Sequence, residues 1–85
     1  MTEETLKSIH PGEVLREEFL KPLLVSEIKL AESIAVSPEI VRDIVIERRG
    51  ISTYTAHRLG KFFGTSAEFW LGLQADYDLD VAHRR

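Results

Sequence analysis

Ser26 and Ser37 each stand just ahead of a run with helical periodicity, and Lys29, Arg42, Arg48 and Arg49 accompany those runs before Gly50. These residue types bind anions. A serine hydroxyl at a helix start accepts from a first-turn N–H, and it or the neighbouring N–H groups can meet a phosphate. A guanidinium pairs with phosphate or reads a guanine edge. The chemistry this stretch suits is therefore recognition of a polyanion. Catalysis finds no comparable set. Ser, His and Asp occur, but without a nucleophile elbow, a paired-carboxylate context, a phosphate loop or a metal motif. Glu17 and Glu18 are adjacent on a helix surface and do not face each other. His10, His57 and His83 lie far apart without metal-ligand spacing, so no metal or cofactor is expected. The chain is not expected to be an enzyme.

The elements that must carry the candidate residues are two short amphipathic segments. Leu30 and Ile34 mark one face of the first, and Val41, Ile44 and Val45 mark one face of the second. Apolar residues at i, i+3 and i+4 argue for helices over strands. Pro38 is suited to the first helical position. The pattern predicts helices over about 27–34 and 38–46, joined by a turn at Val36 and Ser37. Two helices across so tight a turn suit a helix-turn-helix, whose second helix can enter the DNA major groove.

Around this pair the sequence predicts three more helices and no strand. The first spans about 12–20, entered through His10-Pro11 and stopped by Lys21-Pro22, with Val14, Leu15 and Phe19 inward. After a loop over 47–51, Ser52 caps a fourth, where Ala56, Leu59, Phe62 and Phe63 point inward and Gly64 ends the turn. Thr65 and Glu68 have the spacing of a capping box for a fifth, carrying Phe69, Trp70, Leu73 and Tyr77. Phe62, Phe63, Phe69 and Trp70 are expected in the core. The expectation is an all-α single domain over residues 9–82, with a flexible leader at 1–8 and a tail at 83–85.

Composition fits that size. With 85 residues and 44% hydrophobic content the chain suits one small core, and it excludes a disordered tail as the main character. The absence of cysteine removes disulfides, a thiol nucleophile and cysteine-ligated zinc, which fits a reducing cytoplasm. Met1 to Lys7 is polar and acidic, unlike a secretory signal, and no apolar run is long enough for a bilayer. The net charge of −3 weighs against a nucleic-acid binder unless cations cluster on one face.

His10-Pro11-Gly12-Glu13-Val14-Leu15 followed by Glu17-Glu18-Phe19-Leu20 resembles the opening of HigA/VapI-type antitoxins of the XRE, lambda-repressor-like helix-turn-helix group. Val36-Ser37-Pro38, Arg49-Gly50-Ile51, Phe62-Phe63-Gly64-Thr65-Ser66 and Glu68-Phe69-Trp70-Leu71 continue the match, which runs from about Ile9 to Ala82. The resemblance implies a five-helix domain and an antitoxin that neutralises a HigB-type, RelE-like mRNA-cleaving toxin. It also implies a homodimer that represses its own operon at operator DNA. The DNA-contacting set expected on this reading is Ser26, Glu27, Lys29, Ser37, Pro38, Glu39, Ile40, Arg42, Arg48 and Arg49. Arg42 and Glu39 would meet base edges and the serines and the arginine pair would meet the backbone. Phe69, Trp70, Leu73 and Tyr77 are the expected dimer contacts, and acidic Glu3, Glu4, Glu17 and Glu18 suit a basic toxin.

The departures from the family pattern sit in the reading head. Glu27 stands where glutamine is usual, Ala35 where the turn usually has glycine, and Ile46-Glu47 where Asn-Gly usually ends the helix. Alanine suits that turn if Ala35 keeps negative φ. Glu39 and Ile40 replace small polar residues and an arginine. Glu39, Asp43 and Glu47 offset Arg42, Arg48 and Arg49, so DNA binding is expected to be weaker or altered. Arg42 could instead pair with Glu39 or Glu47, Arg48-Arg49 could be a solvated loop, and exposed Ile40 and Ile46 would make an apolar patch suited to a protein. Two alternatives thus stand beside the antitoxin reading: a protein-binding module of the same fold, and a stand-alone transcriptional regulator.

Overall fold

A computed structural model describes residues 8–84, and all of its regular structure among them is helical. The expected leader therefore falls almost wholly outside the described residues, as do Glu3 and Glu4. Ser8, at its end, donates from its hydroxyl to the Asp80 carboxylate.

Helix α1 covers residues 11–23. His10 caps it, with Nδ1 accepting the Gly12 N–H at 2.8 Å, and Pro11 takes the first helical position. Lys21-Pro22 does not stop this helix. Its middle, Leu15–Leu20, winds as π-helix, and α-geometry resumes over Lys21–Leu23 before Leu24 ends it at φ 58°. A proline ring ordinarily clashes with the carbonyl four residues back and leaves that carbonyl without a donor. Widening the preceding turn, so that the Lys21 N–H bonds the Arg16 carbonyl, eases that conflict and lets the helix continue.

Helices α2 (Glu27–Ile34) and α3 (Pro38–Val45) start where the serines place them. The Ser26 hydroxyl accepts the Lys29 N–H at 3.0 Å, and that of Ser37 accepts the Ile40 N–H at 3.3 Å. Ile46 lies one residue beyond α3. Ala35, which closes α2, has φ 59° and not the negative value expected of an alanine turn. The tight connection demands a left-handed residue there, and the chain meets the demand without glycine. Glu47, in the loop after α3, does the same at φ 66°.

Helix α4 (Thr53–Phe63) is capped by Ser52 and closed by Gly64 at φ 77°. Helix α5 (Ala67–Arg84) begins one residue later than the Thr65–Glu68 box requires. Ser66 caps it by accepting the Phe69 N–H at 3.0 Å. Thr65 has another partner: its hydroxyl accepts the Trp70 indole N–H at 2.8 Å. A buried indole must donate to something, and that demand outranks a local box. Helix α5 continues through Arg84, so His83 and Arg84 of the expected tail are helical.

Leu30, Ala31 and Ile34 from α2 and Val41, Ile44 and Val45 from α3 are buried against Leu15 of α1 and Leu59 of α4. Trp70 is fully buried, with ring contacts to Phe19 at 5.0 Å and to Phe69. Phe63 packs against Phe19 with ring centroids 4.8 Å apart and the planes tilted by 52°. Phe62, expected inward, is 38% exposed and meets Phe63 edge-on, since α4 turns only one side to the bundle. The core thus clamps α2 and α3 as one unit and leaves their N-terminal ends outside.

Candidate nucleic-acid interface

The α2–turn–α3 unit is held at its turn and at its C-terminal end by side chains from elsewhere in the chain. Arg58 of α4 donates through Nε to the Ile34 carbonyl at 2.9 Å, and the Tyr54 hydroxyl donates to the Ala35 carbonyl at 3.4 Å. These bonds occupy carbonyls that a helix end leaves without partners. Arg16 of α1 donates through Nη1 to the Val45 carbonyl, and closes the far end of α3. After α3, the Gln74 side chain accepts the Ile51 N–H at 2.7 Å and donates to Asp78 at 3.0 Å, fixing the loop that carries Arg48 and Arg49.

The fixed unit presents most of the candidate residues to solvent. Ser26, Lys29, Ser37, Pro38, Glu39, Arg42, Arg48 and Arg49 are exposed, whereas Glu27 and Ile40 are half-buried. Ile40 packs against the core, so the apolar patch envisaged with Ile46 loses one of its two members. A cleft of about 310 Å³ is lined by Glu27 and Ile28 of α2 and by Pro38, Glu39, Arg42 and Asp43 of α3.

Charge pairing differs from the local expectation. Arg42 pairs with neither Glu39 nor Glu47. Its Nη1 donates to Glu27 Oε2 at 3.0 Å, across the turn. Side chains on a helix lean toward its N-terminus, which carries the Arg42 guanidinium back to the start of α2. Glu47 pairs with Arg16 at 3.5 Å and Asp43 with Arg49 at 3.5 Å. Among the described residues Lys29 and Arg48 make no ion pair.

His10 is buried, edge-on to Tyr77 at 4.8 Å. Burial pushes its imidazole below the ordinary value, against the opposing fields of Glu47 and Asp78. It is a cap, and among the described residues no group of His, Asp and Glu could hold a metal ion. Gly12 does equally local work: a Cβ there would stand 1.8 Å from the Ile44 carbonyl oxygen, so α1 crosses α3 at backbone contact. Neither role shows in helical periodicity. The Pro-Gly pair at a helix start is the one signal that marked the place.

The expected dimer set divides. Trp70 has no exposed surface and belongs to the protomer's own core, while Leu73 and Tyr77 are half-buried. Phe69 is 40% exposed and Leu79, further along α5, 61%. Glu17 is engaged by Lys21 and by Arg16, each at 2.9 Å, and these bonds hold its carboxyl below the usual carboxylate range. Glu18 is exposed. No helix among the described residues is long and apolar enough to cross a membrane.

No family model matches the chain. Comparison with individual proteins is more informative. The chain is 48% identical over 79 residues to virulence-associated protein I of Dichelobacter nodosus, covering 93% of this chain and 73% of that protein. It superposes on the Pseudomonas aeruginosa antitoxin HigA, solved with the higBA promoter, with a TM-score of 0.90 at 50% identity over 92% of this chain and 85% of that one. An addiction-module antidote protein of the HigA family from Coxiella burnetii gives 0.88 at 43% identity over 93% and 86%. Matching in sequence along nearly its whole described length and in the arrangement of all its helices, the chain belongs to the HigA-type antitoxin family of XRE helix-turn-helix proteins.

Proposed function

We propose that this protein is the antitoxin of a HigB/HigA-type pair. It neutralises a RelE-like mRNA-cleaving toxin and, as a homodimer, represses its own operon by placing α3 in the major groove of operator DNA. The observation that carries the reading is the α2–turn–α3 unit, clamped from behind by the core and by Arg16, Arg58 and Tyr54, with Ser26, Ser37, Arg42, Arg48 and Arg49 outward. Its half-identical neighbour of known structure was solved with its own promoter. On this reading residues 9–82 act as one domain, the protein works in the cytoplasm, and it performs no catalysis. Two exposed apolar side chains on α5, Phe69 and Leu79, support pairing of two copies, which would set two recognition helices about one DNA turn apart.

A second reading has an observation of its own. Arg42 and Arg49 are both engaged by carboxylates, and Glu39 is exposed beside them, which lowers the attraction for phosphate. That favours a protein-binding module with weak DNA contact. Titrating a fluorescent duplex from upstream of the protein's own reading frame, between about 50 and 200 mM salt, separates the two. Repression predicts salt-dependent binding tighter than to a scrambled duplex. Arg42→Ala should then cost about 1–3 kcal/mol and relax preference at one base pair, whereas Arg48→Ala should weaken all sequences alike and flatten the salt slope by about one unit. Absence of binding to either duplex at low salt leaves the protein-binding reading.

A further inference from the structure

The ion pair between Glu27 and Arg42 spans the turn and joins the first residue of α2 to the exposed middle of α3. We infer that Glu27 sets sequence selectivity by holding Arg42 in a reading pose while denying the same surface to phosphate. This rests on the DNA-binding reading above.

Two features of the geometry support it. A guanidinium carries five N–H donors in a rigid plane, so one bond from Nη1 to Glu27 Oε2 tethers the group beside α2 and leaves the other N–H groups unspent. Arg42 is 60% exposed even while paired, so its remaining edge is open to a guanine that offers two acceptors. Restraining a long side chain before contact lowers the ordering needed on binding. The second feature is position. The start of an α-helix carries positive partial charge and unpaired N–H groups, a place that favours a phosphate. In this chain the Glu27 carboxylate stands there, with Glu39 and Asp43 lining the same cleft. A phosphate, carrying a full charge, is repelled there more strongly than a neutral base edge. Non-specific binding, which is almost wholly electrostatic, falls more than specific binding.

Glu27→Gln tests this, because glutamine keeps the shape and an acceptor but loses the charge. Exposed ion pairs are weak, so the expected effects are modest. Affinity for a scrambled duplex should rise roughly two- to fivefold, and the ratio of promoter to scrambled affinity should fall by a similar factor. In an Arg42→Ala background the same substitution should still raise both affinities but leave the ratio unchanged, since the residue to be positioned is gone. Circular dichroism confirms that all variants fold. With Arg42 present, a rise in both affinities by one factor that leaves the promoter-to-scrambled ratio intact overturns the inference: Glu27 is then only a repelling charge. Failure of the wild type and of Glu27→Gln to bind either duplex at low salt overturns the DNA-binding reading itself, and the inference with it.

Discussion

The backbone oxygen of Ile44 occupies the place where a side chain on Gly12 would begin, 1.8 Å from an ideal Cβ. Two helices distant in sequence meet there without an intervening side chain, and the contact seats α3 against the start of α1. Gly12→Ala must push α1 off α3, and since backbone atoms cannot rotate aside, the loss of stability should reach at least the 1–3 kcal/mol typical of overpacking. Urea denaturation measures it. A loss under about 0.5 kcal/mol would mean that the helices separate freely.

Ala35 offers the reverse experiment. It is exposed, holds φ 59°, and closes α2 where a left-handed residue is required. The left-handed region costs a Cβ-bearing residue roughly 1–2 kcal/mol, of which glycine returns part through its greater freedom when unfolded. Ala35→Gly should therefore stabilise the protein by about 0.5–1 kcal/mol. A lowered melting temperature for this variant contradicts the argument.

His10 links stability to pH. Unfolded, its imidazole titrates near the ordinary 6.5, and folded it titrates lower because burial disfavours the cation. Well above pH 6.5 neither state holds the extra proton and the group contributes no slope. As pH falls from there toward the depressed folded value, the unfolded state binds a proton that the folded state refuses, so stability declines. Protonating Nδ1 also removes the acceptor for the Gly12 N–H. Denaturation curves at stepped pH should show this decline in the wild type and a reduced slope in His10→Asn, which keeps a capping oxygen but does not titrate. Equal slopes would assign the pH dependence to the carboxylates.

Leu79 tests the homodimer. It is 61% exposed on α5, outside the packed core, so Leu79→Glu should leave the protomer's melting largely intact. On the proposed dimer it places a charge in an apolar contact, and sedimentation should show dissociation shifted to at least tenfold higher concentration, about 1.4 kcal/mol. A wild type that sediments as monomer at micromolar concentration removes the dimer from the reading altogether.

Much of this protein is legible in the chain because helix starts and faces are local matters. Ser26, Ser37 and Ser52 cap where their positions ahead of apolar runs say they should, and Gly64 ends α4 as a left-handed glycine. The buried faces Leu30–Ile34 and Val41–Val45 follow from a period of 3.6 residues. Each residue of the opening His10-Pro11-Gly12 has a local role: His10 accepts, Pro11 starts the helix, Gly12 admits a neighbour.

Only the tertiary structure decided what depends on a partner distant in sequence. Arg42 had acidic neighbours on its own helix, yet the start of α2 lies nearer its outstretched guanidinium, and Glu27 holds it. Thr65 satisfied a capping spacing, yet the indole of Trp70 needed an acceptor inside the core, and Ser66 took the cap. Pro22 read as a stop, yet a π-wound turn carried α1 past it. Ala35 and Glu47 took left-handed conformations because the helices they join are fixed by core packing, and the turn between two fixed ends must accept the angles that remain. Local pattern determines which helices form. Which side chains meet, and which turns bear strain, is settled by how those helices close on one another.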